Sequence, residues 1–245
     1  MFPGTYTLVI VAKDDSKQQI VGVGSRTLQV VDSDVHVTVP IGKPGEVRGR
    51  ATVQAPGGAS LSDLQLVLRS LEGSAARSSI DASGNFDFSI VPGHQVFELL
   101  GPSKKVYVKQ ARCSGQNYTT EPLTIQAGQV VNSCDVTLAT DTGVVNGSVS
   151  KSGKPAAGMV AVLVPQRLGL RGIGRYTLTA MTDADGHFQL EGVIPGDYFL
   201  FAVPLDINAH YFAHDFADRN QSDAQSISVK ANEIRVVSLT PTTQQ

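Results

Sequence analysis

Short runs in which apolar and polar residues alternate follow one another along the chain, separated by glycine, proline and other turn residues. In the C-terminal part these runs are VVNGSV, MVAVLVP, YTLTAMT, HFQLEGV, YFLFAV and IRVVSL. Alternation with a period of two is typical of half-buried strands, and no stretch shows the apolar spacing of a long helix. The pattern predicts an all-β protein made of tandem Greek-key β-sandwich domains, Ig-like in architecture.

The stretch TDADGHFQLEGVIPGDYFLFA, residues 182–202, contains a D-x-D-G string that resembles the start of a calcium-binding loop. After Gly186 the residues alternate as in a strand and do not continue the pattern of oxygen ligands that such a loop requires. An earlier stretch, IDASGNFDFSIVPG at residues 80–93, keeps the same landmarks but has Ser83 in the place of Asp185. The shared feature is therefore predicted to be a hairpin turn and not a metal site.

A second turn, Pro195–Gly196, precedes the strand YFLFAV. Proline fixes its φ angle and glycine accepts positive φ at low cost, so the two residues suit the central positions of a type II turn. Tyr198 corresponds by analogy to the tyrosine corner of Ig-like sandwiches, whereas the middle repeat has Gln95 at this place. The residues predicted to build these turns are Asp183, Gly186, Pro195, Gly196 and Tyr198.

A third, partial copy of the pattern opens the chain, where PGTY at residues 3–6 matches PGDY at 195–198. Self-similarity with a period near a hundred residues indicates tandem domains, since shorter solenoid repeats cannot bury a core of their own. We place boundaries near Lys43 and Thr140. The predicted domains are a C-terminal half-sandwich at residues 1–42 and sandwiches at 43–140 and 141–245.

Residues 1–42 contain the proline–glycine turn, the strand YTLVIVA and an expected closing strand, VHVTV from Val35, but no counterpart of the earlier strands. Half a sandwich exposes apolar faces and unpaired strand edges. The missing strands are expected to come from upstream sequence, a partner chain or non-native packing. We therefore expect a fragment of a longer exported protein, with further domains and a signal peptide upstream of Met1.

The composition sets limits on the partners. Of the 245 residues 17% are charged and the formal net charge is −2, so no positive footprint favours nucleic acid or an anionic membrane surface. No apolar run reaches the length of about 18 residues that a membrane-spanning helix requires. We predict a globular chain with no nucleic-acid partner and no membrane span of its own.

The last repeat combines V-x-G-x-V at residues 145–149, G-x-P-x-x-G at 153–158, a strand ending at Pro165, the TDADGHF hairpin and GVIPGDYFLFA. This combination resembles the carboxypeptidase regulatory-like domain from Val144 to Leu239, with a weaker match in the middle repeat. The resemblance implies a transthyretin-like (prealbumin-like) β-sandwich, related to Cna B-type modules and grouped with carbohydrate-binding domains. The stretch VYVKQARCSGQNYTTEPLTI is similar to tandem copies in large envelope-associated proteins of soil bacteria. The family implies a non-catalytic, surface-exposed module, extracellular or in the cell envelope.

The two cysteines, Cys113 and Cys134, both lie in the middle repeat, on strands that are predicted to be close together. An envelope protein, as the resemblance implies, folds in an oxidising compartment in which a disulfide persists. We therefore expect a bond between them. The alternative is a pair of unrelated small buried residues.

Two loops of the last repeat carry candidate ligand-binding side chains. In NAHYFAHDF, His210 and His214 have a spacing that would suit a metal on a helix, but we interpret the segment as a solvated or partly packed inter-strand loop. Its aromatic residues could instead stack on a sugar, as fold-level analogy suggests. The loop QRLGLRGIGRY lacks the dinucleotide fingerprint and is expected to be a mobile loop with some affinity for anions. The candidate residues are Tyr211, Phe212, Phe216, Arg171 and Arg175.

The residues that the repeats share are turn glycines, prolines and core apolar residues, which serve folding and not chemistry. No nucleophile, base and orienting partner can be assembled from the sequence, so we predict neither enzymatic activity nor a cofactor. The leading hypothesis is a structural spacer, or a protein-interaction or adhesion module, of an exported or cell-envelope bacterial protein, with carbohydrate or other envelope proteins as partners. The alternative is a carbohydrate-binding module accessory to an enzyme or to an outer-membrane receptor.

Overall fold

The computed structural model describes residues 3–14, 16, 19–31, 34–54, 61–71, 73–101, 105–205 and 211–242. β-Strands form nearly all of the regular structure in these ranges, which confirms the all-β prediction. One short helix, α1 (Phe216–Arg219), and three single turns of 3₁₀-helix accompany them in the same ranges. No helix in the described part of the chain is long and apolar enough to cross a bilayer.

The chain divides into two compact units. The first comprises Met1–Pro102 and Val108–Leu138, and the second comprises Ser103–Tyr107 and Ala139–Gln245. The division falls beside the boundary predicted near Thr140. The opening residues 1–42 group with the first unit, and their separate folding stays a prediction.

The first unit begins with a two-stranded antiparallel sheet and continues with a sandwich. The two-stranded sheet pairs β1 (Gly4–Asp14) with β2 (Gln19–Val30). The sandwich strands are β3 (Gly45–Gln54), β4 (Gln65–Ser70), β5 (Ala75–Ser79), β6 (Asn85–Ile90), β7 (Gly93–Leu100), β8 (Tyr107–Cys113), β9 (Gln116–Asn117), β10 (Leu123–Ile125) and β11 (Val130–Ala139). One sheet has the order β10-β7-β4-β5, and the other has the order β6-β3-β11-β8-β9.

The second unit is a sandwich of two further sheets. Its strands are β12 (Gly143–Lys151), β13 (Lys154–Pro155), β14 (Met159–Pro165), β15 (Leu178–Met181), β16 (His187–Val193), β17 (Gly196–Pro204), β18 (Gln225–Val229) and β19 (Ile234–Leu239). One sheet has the order β15-β14-β17-β18. In the other sheet β12 lies between β16, which is antiparallel to it, and β19, which is parallel to it.

Both sandwiches follow one strand order. The sheet β10-β7-β4-β5 of the first unit corresponds to β18-β17-β14-β15 of the second, and β6-β3-β11 corresponds to β16-β12-β19. The alternation that was read from the sequence sets the two faces of these strands. In β12, for example, Val145, Gly147 and Val149 are buried while the residues between them are partly exposed.

The core of the second unit lies between its two sheets. Apolar side chains from both sheets fill it: Val145, Val149, Ala161, Leu163, Phe188, Leu190, Val193, Tyr198, Leu200, Ala202, Ile227, Val229, Val237 and Leu239. Burial of this apolar surface is the main favourable contribution to folding, so the sandwich is held together by this layer and not by its surface loops.

The two units differ in one connection. In the first unit the chain between β7 and β10 forms β8 and β9, which extend the sheet of β3 beyond β11. In the second unit the chain between β17 and β18 forms α1, whose Phe216 and Ala217 pack with Val160, Val162 and Phe201 of β14 and β17. The same connection therefore widens one sheet in the first unit and covers the other sheet in the second.

The prediction of a closing strand at VHVTV, from Val35, is wrong. The described residues 34–41 belong to no strand, and only an isolated bridge joins Val23 to Gly42, with hydrogen bonds of 2.9 and 2.8 Å. The reason is visible at Thr38, whose carbonyl accepts a 2.7 Å hydrogen bond from the side chain of Arg26. A side-chain donor replaces the backbone ladder that a strand would need.

Removal of residues 1–42 is expected to leave the remaining chain folded. In the described residues β1 and β2 pair with each other along their length, the Val23–Gly42 bridge is also internal to the removed segment, and the contact of β2 with β6 of the sandwich is small. We expect residues 43–245 to keep a cooperative unfolding transition, measured by circular dichroism during chemical denaturation. A truncated chain without such a transition would show that the opening segment is an integral part of the first sandwich.

Candidate functional site

The D-x-D-G string forms a tight turn between β15 and β16, but these strands belong to different sheets, so the prediction of a hairpin is wrong and the turn joins the two sheets of the sandwich. The carboxylate Oδ1 of Asp183 accepts hydrogen bonds from the backbone N–H groups of Asp185 (3.0 Å) and His187 (2.8 Å). The N–H of Gly186, whose φ is +76°, donates to the carbonyl of Asp183 at 3.1 Å. The carboxylate therefore satisfies the backbone of its own turn, as an Asx turn does.

The first unit builds the same turn between β5 and β6. The Oδ1 atom of Asp81 accepts hydrogen bonds from the N–H groups of Ser83 (2.8 Å) and Asn85 (2.7 Å), and the N–H of Gly84 donates to the Asp81 carbonyl at 2.9 Å. Hydrogen bonds from the side chain and the backbone of Asn85 hold the pKa of Asp81 below its usual value. Since Ser83 replaces Asp185 here, the turn requires only its first aspartate and its glycine.

The prediction of a type II turn at Pro195–Gly196 is wrong. Gly196 is not among the glycines with positive φ, which a type II turn requires at this position. It is instead the first residue of β17 and pairs with Val229 of β18. The ladder sets the backbone of the glycine, and Pro195 forms a bend just before it.

A buried corner hydrogen bond occurs in both units. The hydroxyl of Tyr198 donates to the carbonyl of Ile194 at 2.6 Å, and burial raises the pKa of this hydroxyl, so it remains a donor. In the first unit Nε2 of Gln95 donates to the carbonyl of Val91 at 2.9 Å, again four residues upstream. Gln95 therefore replaces the tyrosine as the donor of this hydrogen bond, and no sequence pattern predicted that replacement.

The position of Arg171 does not fit the expected loop with affinity for anions. Only 7% of its surface is exposed, and its guanidinium donates to the carbonyls of Pro165 and Gln166, both at 3.2 Å. It also forms an ion pair with Asp218 at 2.7 Å and lies 5.7 Å from the centroid of the Phe199 ring. These contacts fix the loop to β14 and α1 and leave little of the charge for an external anion.

Arg175 is also engaged within the second unit. Its Nη1 donates to the carbonyl of Gly192 at 2.9 Å. Burial lowers the pKa of its guanidinium, which means that the group is partly withdrawn from water. Neither candidate arginine is a free surface cation.

The three candidate aromatic residues differ in their exposure. Phe216 is buried, with its ring 5.3 Å from that of Phe201 in an edge-on arrangement. Tyr211 stacks edge-on against Phe216 at 5.9 Å, and its hydroxyl donates to the carbonyl of Pro204 at 3.3 Å. Phe212 alone among the three is exposed, at 49%. The expected aromatic sugar-binding surface is therefore reduced to one ring, because the others pack the outer face of β17.

The histidine pair cannot be compared with its predicted spacing, since His210 lies outside the described residues. His214 is exposed, and the neighbouring Asp215 pairs with Arg219 at 3.2 Å. In the described part of the chain no three or more His, Cys, Asp or Glu side chains are grouped so that they could hold a metal ion.

The two cysteine sulfurs lie at bonding distance, 1.99 Å, and join β8 to β11 in the first unit. Both side chains are buried, with 1% or less of Cys113 and Cys134 exposed. A bond at this place closes a loop that includes β9 and β10. The strand β8 is thereby fastened to the edge of β11 covalently as well as by hydrogen bonds.

A groove of about 600 Å³ lies over the outer face of β16, β12 and β19. Asn146, Ser148 and Gln189 supply its polar floor, and the Gln189 amide donates to the Asn146 side chain at 3.0 Å. Val236 supplies an exposed apolar side chain at its rim. The groove is a shallow, mainly polar surface without an aromatic platform in its described lining beyond the core residue Phe188.

The run IRVVSL, which was predicted as one of the alternating strands, carries apolar residues on both faces. Val237 and Leu239 point into the core, whereas Ile234 and Val236 are exposed. Apolar residues on both faces of a terminal strand were the signal that could have identified this surface, because a sandwich strand has only one buried face.

No family model and no curated protein matches the chain. Solved structures that resemble it include a streptococcal ancillary pilin, 13% identical, with 100% of this chain and 77% of the pilin covered and a TM-score of 0.35. GBS52, the minor pilin of Streptococcus agalactiae, is 10% identical over 82% of this chain and 97% of its own, with a TM-score of 0.36. BcpA, the major pilin subunit of Bacillus cereus, is 10% identical over 82% and 100%, with a TM-score of 0.32. Similarity at this level does not identify a family.

Proposed function

We propose that this chain is a non-catalytic structural module of an exported or cell-envelope protein, in which tandem sandwiches act as a spacer that bears load along the polypeptide. The observation that carries the proposal is the parallel pairing of the first strand of the second unit, β12, with its last strand, β19. The register runs from Val144 opposite Ile234 to Val149 opposite Leu239.

Parallel pairing of terminal strands has a mechanical consequence. A force along the chain enters the second unit at the start of β12 and leaves it at the end of β19. Because the strands are parallel, the force pulls them past each other and loads the hydrogen bonds of the ladder together. Antiparallel terminal strands would instead open one bond at a time from the end of the ladder.

The contacts of the polar side chains in the turns, corners and loop also support a structural role. Asp81 and Asp183 satisfy turn backbones, Gln95 and Tyr198 satisfy corner carbonyls, and Arg171 fixes a loop. Equivalent positions in both units therefore serve the fold, as expected of a repeated scaffold. The disulfide between Cys113 and Cys134 supports export, since disulfides persist in oxidising compartments.

Replacement of Arg235 by proline is expected to lower the force at which the second unit unfolds. The carbonyl of Glu233 accepts the N–H of Val144 at 2.8 Å, so Glu233 and Arg235 face β12 while Val236 faces away. Proline at position 235 removes a donor from the loaded ladder. The measurement is single-molecule force spectroscopy of the full chain, held at its two ends.

Val236→Pro is the matched control, because it places the same residue in the same strand without removing a bond to β12. The unfolding events of the two units are distinguished by repeating the measurement with a reductant. The cysteines of the disulfide are 21 residues apart. Breaking the bond therefore increases the length that the chain gains when the first unit unfolds by about 7 nm, and leaves the length gained by the second unit unchanged. Equal unfolding forces for Arg235→Pro and Val236→Pro would contradict a load-bearing role for β12 and β19.

A further inference from the structure

The outer edge of β19 is open where the corresponding edge of the first unit is covered. In the first unit β8 lies beside β11, and the Cys113–Cys134 sulfurs join the two strands. In the second unit the corresponding connection forms α1 on the other sheet, and within the described residues no strand lies beside the outer edge of β19. The corresponding edge therefore has an added strand, β8, in the first unit and no added strand in the described residues of the second unit.

The backbone of β19 offers hydrogen-bonding groups to this open side. In a parallel ladder, the backbone N–H and C=O groups of every second residue face the neighbouring strand. Glu233 faces β12, since its carbonyl accepts the N–H of Val144. Ile234, Val236 and Ser238 therefore direct their N–H and C=O groups away from β12.

The side chains on the open strand are unusually apolar for an exposed position. Val236 is 75% exposed and Ile234 is 68% exposed, the highest values among the large hydrophobic residues of the described chain. Edge strands are normally protected against pairing by lysine, proline or a bulge. The strand IRVVSL contains no lysine or proline, and its register with β12 is unbroken.

We propose that β19 pairs with β19 of a second copy of this chain, antiparallel and about a two-fold axis at Val236. In this register Val236 lies opposite its own copy, and Ile234 lies opposite Ser238 of the second copy. Each pair joins residues whose backbone groups face outward, so the two strands exchange hydrogen bonds. The two sheets become one continuous sheet across the axis.

Charge favours the register with its axis at Val236 over the register with its axis at Arg235. An axis at Arg235 would place two guanidinium groups directly opposite each other, which is unfavourable. An axis at Val236 places Arg235 opposite Val237 of the second copy, and each arginine keeps its own ion pair with Glu233 at 3.5 Å. Only uncharged side chains then meet on the outer face, so a copy of the same strand is a compatible partner.

The size of the contact sets the strength of the association. A strand of six residues buries less than the ~1,200 Å² of a standard stable interface, so we expect a dimer that forms as the protein concentration rises. Sedimentation velocity of the full chain over a wide concentration range is the measurement. The wild type is expected to shift from monomer to dimer.

Val236→Lys is expected to keep the chain monomeric at every concentration, because two lysines would meet on the axis. The position is exposed, so the melting temperature should not change. Leu168→Lys, at a side chain that is 57% exposed in the connection after β14, is the matched control and should dimerise as the wild type does. A wild type that stays monomeric at the highest concentration, or a Val236→Lys variant that dimerises equally well, would overturn the proposal.

Cysteine variants test the register. Val236→Cys should give a covalent dimer with a short bifunctional thiol cross-linker, because paired Cβ atoms across an antiparallel ladder lie about 5 Å apart, which is wider than a direct disulfide prefers. Ser238→Cys should not, since four residues of strand, about 14 Å, separate the two copies of position 238. Equal cross-linking of both variants, or none at position 236, would exclude the two-fold axis at Val236.

Discussion

Replacement of Gly186 by alanine is expected to destabilise the second unit by about 3 kcal/mol. An L-residue at φ +76° costs about 1 kcal/mol or more by itself. A Cβ atom at this position would also lie 2.6 Å from the carbonyl oxygen of Val149 and 3.1 Å from the amide nitrogen of Ala156, so the backbone of the turn has to move. Chemical denaturation monitored by circular dichroism measures the loss.

Gly153→Ala separates the two contributions. Gly153 has the same φ, +76°, but a Cβ atom there would meet no atom within 4 Å. We expect this variant to lose only the conformational part, about 1 kcal/mol. Equal losses for the two variants would mean that the close approach of Gly186 to Val149 does not contribute.

Reduction of the disulfide is expected to destabilise the first unit by about 3 kcal/mol, from the entropy that the unfolded chain regains when a loop of this size opens. Wild-type protein from an oxidising compartment should show no titratable thiol after denaturation without reductant. The free energy of unfolding is then compared with and without reductant. The disulfide that joins Cys113 to Cys134 is the basis for this expectation.

The double variant Cys113→Ala/Cys134→Ala is the control for side effects of the reductant, because its stability should not respond to it. Its own loss should exceed that of the reduced wild type, since both cysteines are buried and alanine leaves space unfilled. Two titratable thiols in each wild-type chain would contradict the disulfide. An unchanged stability on reduction would contradict its contribution.

Features that depend on neighbouring residues could be predicted from the sequence. Alternation predicted the strands, and the aspartate–glycine spacing predicted the turn at Asp183 and Gly186, because these hydrogen bonds span at most four residues. The conformation of Gly196 could not be predicted in this way. Its backbone is set by pairing with Val229, which lies far along the chain.

The burial of the candidate binding residues could not be predicted for the same reason. Composition and glycine-rich surroundings predict an exposed Arg171, but the side chain is buried and its partner Asp218 lies 47 residues later along the chain. The aromatic ring of Phe216 is buried because the connection between β17 and β18 folds back on β14 and β17, which no local pattern specifies. A local rule cannot show which of two sheets such a connection will cover.

The contrast between the two connections also bears on how this fold tolerates new sequence. A hairpin in one unit and a helical segment in the other occupy the same point of the chain, yet the strand order around them is the same. This point is therefore a natural position for grafting: a foreign segment inserted between β17 and β18 need only close the distance between the two strands. Transplanting the segment from β8 to β9 to this position would supply the second sandwich with a covering strand of its own and leave β14 and β17 without their apolar lid.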